Sequence, residues 1–274
     1  MTPLQQRELE LLRLFVRLCE QLQLRYYLVC GTALGAVKYE GFIPWDDDVD
    51  VAMPREDYEV FLEKAPSLLP EGIFLQNYRT DPAFPQIFSK LRNSNTTYIE
   101  KSAAALPINH GIFMDIFPLD GYPELPKERR RLEIKKKLYL QLLGTAFAEP
   151  APLKSKMVYR VKRALGFHKS TARFAADFDA ILRKISPEDS PLWCNHGNWQ
   201  GKLEYAPWEQ YGAGAEAVFE GLAVRIPERY VEYLTQKYGD YSQDPPVQEQ
   251  TGHHYCKICD VDRPYTHYVI QKDS

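Results

Sequence analysis

The feature that most constrains this chain is a run of acids threaded through apolar residues: Ile43-Pro44-Trp45-Asp46-Asp47-Asp48-Val49-Asp50-Val51-Ala52-Met53. Side chains on an extended strand alternate between faces, so Asp48 and Asp50 should point together while Val49 and Val51 enter the core. Asp46 to Asp48 alone would read as a solvated turn. The interleaved Val and Ala instead have the spacing of a buried strand, where two carboxylates one strand-step apart repel unless a cation neutralises them. A hard divalent ion such as Mg²⁺, with Mn²⁺ as a substitute, takes such carboxylates together with the oxygens of a phosphorylated substrate. Upstream, Gly31-Thr32 opens a small-residue segment, Thr32 to Val37, that suits a short helix. A turn of this kind offers N–H groups and a hydroxyl to an anion at the helix N-terminus. Gly-Thr is also an ordinary helix cap. It gains weight here because fifteen residues separate Thr32 from Asp48, enough for a helix and a return loop.

A third acid sits in Phe113-Met114-Asp115-Ile116-Phe117, a run apolar on both faces. An Asp is costly to bury there without a partner. Beside the Asp48–Asp50 strand it would complete a three-carboxylate site, sharing a metal or taking the proton of an attacking hydroxyl. The alternative is a buried Asp that caps a neighbouring turn. Asp120, past Pro118-Leu119, is expected as a turn residue. Cys30, next to Gly31, is expected as a small buried residue with no base to activate it.

Apolar periodicity predicts helices over 4–23, 55–68, 127–148, 155–165 and 228–238, and strands over 26–30, 73–78, 86–91, 96–100 and 111–117, with a strand-like stretch at 218–226. The class is therefore α+β: a mixed sheet with flanking helices and an inserted helical region. Three stretches follow: a catalytic core over 1–121, a basic and largely helical region over 122–215, and a C-terminal segment over 216–274 that completes the active site.

Charge is distributed unevenly. The whole chain carries 34 Lys and Arg against 37 Asp and Glu, a formal −3, which argues against a nucleic-acid partner. Within it, Lys127 to Arg173 holds fourteen Lys or Arg and three Glu. That segment reads either as solvated helices packed on the domain or as a surface drawn to an anionic membrane or a lipid-linked phosphate. There is no apolar run near 18 residues to span a membrane, and the N-terminus lacks the apolar core of a signal peptide. The five Cys, an odd number, make no secreted disulfide framework. A cytoplasmic protein is expected, with peripheral attachment to the inner face of the membrane as its one membrane option. His253, Cys256 and Cys259 suggest zinc, but a single Cys-x-x-Cys without a second pair is a weak signature. An ordered loop near the active site is the expectation there.

The order Gly-Thr, Asp-x-Asp and a carboxylate on a later strand resembles the nucleotidyltransferase superfold. A closer resemblance lies in Gly31 to Val37 followed by Gly41 to Pro54, which is similar to the LicD family of phosphocholine transferases, with the fukutin-related ribitol-phosphate transferases as distant relatives. Phe88 to Arg92, Asn95 to Thr97, Gly111 to Gly121, Ile226-Pro227, Tyr238 to Tyr241, Pro245-Pro246 and His253-His254 add to it. The resemblance is strong over 20–121, fair over 216–254 and weak in the basic middle. It implies a nucleotidyltransferase-like mixed sheet. It also implies transfer of phosphocholine, or a related phosphorylated alcohol, from CDP-choline or another CDP-alcohol to a sugar hydroxyl. The acceptor would be a cell-surface glycan such as lipopolysaccharide or teichoic acid, or its lipid-linked precursor, and CMP would leave. On this pattern Asp48 and Asp50 hold Mg²⁺, with Asp46 as a further ligand and Asp115 as ligand and general base. Gly31 and Thr32 meet the phosphate, Lys90 and Arg92 balance its charge, and Trp45 and His254 are further substrate contacts. A quaternary ammonium favours an aromatic face; Trp45 is nearest to the acids, and Trp199, Tyr205 and Trp208 are unplaced options. Three alternatives stand beside this reading. They are a nucleotidyltransferase moving NMP from an NTP to a small molecule with release of pyrophosphate, a glycosyltransferase using Asp-x-Asp to hold a nucleotide sugar, and a metal-free binding module.

Overall fold

Leu9, Leu12, Phe15, Val16 and Cys19 recur at helical spacing, and helix α1 (Pro3–Leu22) buries that stripe against the sheet. Thr2 caps it: its hydroxyl accepts from the Gln5 N–H, and the Gln5 side chain accepts the Thr2 N–H. In the computed structural model, residues 1–147, 153–166, 171–187, 190–197, 204–252 and 254–269 are described.

The sheet runs in the order β1 (Tyr27–Leu28), β2 (Asp50–Pro54), β6 (Ile112–Tyr122), β4 (Ser89–Asn93), β3 (Ile73–Gln76). Of these neighbours β2 and β6 are parallel and the others antiparallel. Helix α2 (Cys30–Tyr39) connects β1 to the acidic loop, and α3 (Arg55–Lys64) follows β2 before a 3-10 turn at Ala65–Leu68. Two short strands, β7 (Leu192–Cys194) and β8 (Tyr205–Pro207), extend the far half of β6. Two small ladders stand apart: β5 (Thr97–Glu100) with β11 (Cys256–Asp260), and the hairpin β9 (Ala215–Phe219)–β10 (Leu222–Ile226). The α+β mixed sheet with flanking helices expected from sequence is the observed class.

The basic segment supplies α4 (Pro126–Ala146), α5 (Leu153–Ala164) and α6 (Thr171–Leu182). Helices α4 and α6 bury Leu132, Tyr139, Ala175, Phe178 and Leu182 in a small core of their own, with Tyr139 and Phe178 stacked at 5.4 Å. Among the described residues, the remaining α-helices are α7 (Trp208–Tyr211), α8 (Tyr230–Tyr238) and α9 (Thr266–Val269). Among the described residues, no helix is long and apolar enough to cross a membrane.

Three expectations need correction. The strand expected over 111–117 continues to Tyr122, straight through Pro118. The N–H that proline lacks would face the flank where β4 has ended, at Ser89 opposite Ile116, and β7 has not begun, at Cys194 opposite Asp120. Asp120 is therefore no turn residue. It is buried within β6, and Arg55 grips it with Nε at 2.6 Å and Nη2 at 2.8 Å. The stretch 218–226 is one limb and the turn of a hairpin, reversing at Glu220 and Gly221, both with positive φ.

Candidate active site

Strand register brings three charged side chains into one row. Asp50 on β2 lies opposite Asp115 on β6, and Asp115 lies opposite Lys90 on β4. The Lys90 ammonium stands 2.8 Å from Asp115 Oδ1 and 3.3 Å from the centre of the Phe113 ring, with Glu100 at 3.9 Å. Lys90 and Asp115 are both buried, so each depends on the other for charge balance. Arg92, two residues along β4 and so on the same face, has no exposed surface. It donates to the Gly111 carbonyl at 2.7 Å and to Gln76, which places its charge behind the row.

Beyond Asp50 the chain approaches through an extended lead-in that keeps the expected alternation. Val49 and Val51 are wholly buried while Asp48 and Asp50 are half-buried. The Asp115 N–H donates to the Val49 carbonyl at 2.8 Å, so the sheet fixes both sides of this acidic edge. Asp50 is also tied to α2, because its N–H donates to the buried Thr32 hydroxyl at 2.8 Å. Thr32, expected at the phosphate, thus spends its oxygen on positioning Asp50. Gly31 lies under the Asp46 carboxylate: a Cβ there would come within 2.8 Å of Asp46 Oδ2. The absence of a side chain is what lets an acid sit against the first turn of α2. Helix α1 steadies the same loop, its Gln5 amide donating to the Asp46 carbonyl at 3.0 Å.

The acids destabilise one another's ionised forms. Burial raises Asp46 to about 8, with the charges of Asp48 and Asp47 adding to it. Asp50 is pushed well up by burial and then by Asp48 and Asp115. Asp48 is raised by burial, with His254 opposing. Glu8 on α1, buried behind the loop, is pushed well up by burial and by Asp48, Asp47 and Asp46. Asp46, Asp48 and Asp50 offer carboxylate oxygens, the donor type that Mg²⁺ or Mn²⁺ prefers.

The C-terminal segment packs against the acidic loop. His254 Nδ1 is 3.3 Å from Asp48 Oδ2 and 3.7 Å from Asp47 Oδ1, and its ring meets Phe113 edge-on at 5.4 Å. Burial alone would lower its pKa, but the contact with Asp47 and the charge of Asp48 prevail and lift it to about 10. Asp47 anchors the segment: it accepts from the His254 N–H at 3.1 Å and from the Tyr98 hydroxyl at 3.0 Å. The ligand atoms of Asp47, Asp48 and His254 lie within 4.8 Å of one another. Asp47 was absent from the set read from sequence. Nothing near it in the chain marks it, because its partners lie about fifty and two hundred residues away.

The remaining expected residues divide. Trp45 is half-buried, edge-on to Tyr39 at 6.5 Å, and Lys38 and Tyr39 both engage Asp244. Tyr205 packs on Tyr122 at 4.3 Å and donates to Glu133, and the half-exposed Trp208 opens α7, so neither belongs to the acidic row. Trp199 and His253 lie outside the described residues. Cys256 and Cys259 carry free thiols on β11 and, among the described residues, join no third metal-ligating side chain. Cys30 is buried at the start of α2, its thiol pushed well up by burial, as expected of a structural residue. Sequence reasoning missed one buried ion pair nearby. Lys237 on α8 meets Glu204 at 2.5 Å and stands 3.8 Å from Cys30 Sγ, placing a second cation beside the α2 turn.

Residues 23–147 match the nucleotidyltransferase domain of the LicD/FKTN/FKRP family. The lipopolysaccharide cholinephosphotransferase LicD of Haemophilus influenzae is 29% identical over 260 residues, covering 90% of this chain and 92% of that protein. Uncharacterised proteins of Rickettsia prowazekii and Rickettsia typhi share shorter stretches, 44% identical over 41 residues and 47% over 34. Those two matches cover 15% and 12% of this chain. The acid-bearing sheet edge falls within the matched domain, and over that domain the chain is similar to the LicD family.

Proposed function

We propose that this protein is a Mg²⁺-dependent transferase that moves phosphocholine from CDP-choline to a sugar hydroxyl of lipopolysaccharide or its lipid-linked precursor, releasing CMP in the cytoplasm. The observation that carries this reading is the Asp50–Asp115–Lys90 row with Asp48 and Asp46 on its approach loop. Its similarity to the Haemophilus cholinephosphotransferase supplies the transferred group and the acceptor class.

Asp48 and Asp50, with Asp46, would hold Mg²⁺; bound there, the ion neutralises the diphosphate of the donor. The chain's own groups then have separable tasks. Gly31, in the first turn of α2 against the Asp46 carboxylate, leaves room for a phosphate beside that turn. Asp115, anchored by the Lys90 ammonium, takes the proton of the acceptor hydroxyl. The freed oxygen attacks the choline-bearing phosphorus, the bond from that phosphorus to the bridging oxygen breaks, and CMP departs with the bridging oxygen. Lys90 balances the charge spread over the transferring group. His254 and Asp47 hold the C-terminal segment over the acids, which limits the access of water as a competing acceptor.

The test is incubation with CDP-choline, CDP-ethanolamine, CDP-ribitol or CDP-glycerol, a lipopolysaccharide acceptor and Mg²⁺, scoring CMP. Acceptor-dependent CMP release from CDP-choline, abolished by chelation, is the expected result. Pyrophosphate release from an NTP with no turnover of any CDP-alcohol would replace this reading with nucleotidyl transfer.

A further inference from the structure

Helix α5 exposes the side that an amphipathic helix ordinarily buries. Met157 is 72% exposed, Val158 54%, Val161 53% and, just past the helix, Leu165 70%. At 100° per residue these four fall within one arc about 100° wide. The neighbouring helix α4, against which α5 packs, repeats the pattern on its outer side. Its inner face buries Leu132 and Tyr139, while Ile134 and Leu138 are exposed, flanked by Lys127, Arg131 and Lys135. A groove of about 830 Å³ borders that side, its apolar wall made by Leu125, Ile134 and Ile185 and its rim by Arg131, Lys135 and Lys184 together with Glu124 and Glu128.

The charge around this apolar surface is unspent. Among the described residues, Lys127, Arg131, Lys135, Arg160 and Lys162 form no ion pair with a carboxylate. Exposed apolar arcs of this size mark interaction sites, and unpaired Lys and Arg beside them select an anionic partner. A second copy of the chain meeting this face would set like charges against like. We propose that the α4–α5 face is a membrane-docking surface whose partner is an anionic bilayer, with the apolar arc of α5 entering the headgroup boundary and the basic side chains lying along it. This goes beyond the transferase reading and holds whichever alcohol is transferred.

The test is co-sedimentation of the full chain with vesicles of phosphatidylcholine alone and of phosphatidylcholine with phosphatidylglycerol. The expected result is partition into the anionic vesicles that falls about tenfold or more when salt is raised to roughly 0.5 M. Val161→Glu combined with Leu165→Glu should lower that partition by about tenfold or more. A second variant, Lys127→Glu with Arg131→Glu, tests the charge separately, and both positions are exposed enough to leave the melting temperature unchanged. Pelleting that is equal with neutral vesicles, indifferent to salt or absent would overturn the proposal. So would unaltered partition of both variants, or a dimer in sedimentation velocity that the α5 variant dissolves. CMP release in a vesicle-free assay is scored in parallel, so a failure of the docking surface and a failure of the chemistry give different results.

Discussion

Asp50 is held from two elements before any ligand arrives. Its N–H is fixed on Thr32 and its strand is registered on Asp115, so the carboxylate is aimed by backbone rather than by its own rotamer. Asp48→Asn and Asp50→Asn should each lower CMP release on the order of 10²- to 10³-fold or more. Each removes one like charge from a crowded group, so the metal-free melting temperature should stay level or rise; calorimetry without and with Mg²⁺ checks both halves. Lys90→Met leaves Asp115 buried without its cation and should cost about 3–5 kcal/mol in urea unfolding. These three charged residues were readable in the sequence, the acids because Val and apolar neighbours betray a buried strand around them. Asp47, Glu8 and Glu100 were not. Each is an ordinary surface acid by local context, and only the approach of Tyr98 and His254, of the acidic loop, or of Lys90 gives it a role.

At the level of elements, the decisive contact is one arginine. Arg55 opens α3 and reaches Asp120 on β6 and Asp179 on α6, at 3.0 Å for the latter, while Tyr78 donates to the same Asp179 at 2.6 Å. Sheet, helix α3 and the basic helical region are thus joined through one buried guanidinium. Arg55→Met should destabilise by about 3–5 kcal/mol, and Asp120→Asn in the same chain should recover part of the loss in a double-mutant cycle. Thr32→Val removes the acceptor of the half-buried Asp50 N–H, a cost of about 1 kcal/mol in denaturant unfolding, and should lower CMP release with it. Periodicity places α1 and α4 within two residues of their observed bounds, whereas α3 gives way to a 3-10 turn after Lys64, the strand expected over 86–91 runs Ser89–Asn93, and α6 has no counterpart among the expected helices. The continuation of β6 does not follow from periodicity, because Pro118 is a stop signal unless the flank facing its nitrogen is vacant, and that depends on where β4 and β7 end.

Across the whole molecule, stability should be asymmetric in pH. His196 is buried, and burial with the neighbouring Lys136 and Arg55 cations holds its pKa well below 6.5. The folded state keeps it neutral while the unfolded chain protonates it below about pH 6.5, so its contribution is a loss of stability on acidification. The slope from this one group is up to about 1.4 kcal/mol per pH unit below that point. Urea unfolding of the wild type and of His196→Leu between neutral and mildly acidic pH should differ by that slope; parallel curves would refute it.

The chain order of the site has a consequence for synthesis. Asp46 to Asp50, Lys90 and Asp115 are translated early, whereas His254 and β11 come after a further 130 residues or more. A nascent chain can therefore form the acidic edge and its sheet while the Asp47–His254 closure does not yet exist. Until then its crowded carboxylates have only Lys90 and solvent cations to relieve them. The contact between Asp47 and His254 can form only once the strand carrying Cys256 to Asp260 is made and pairs with β5.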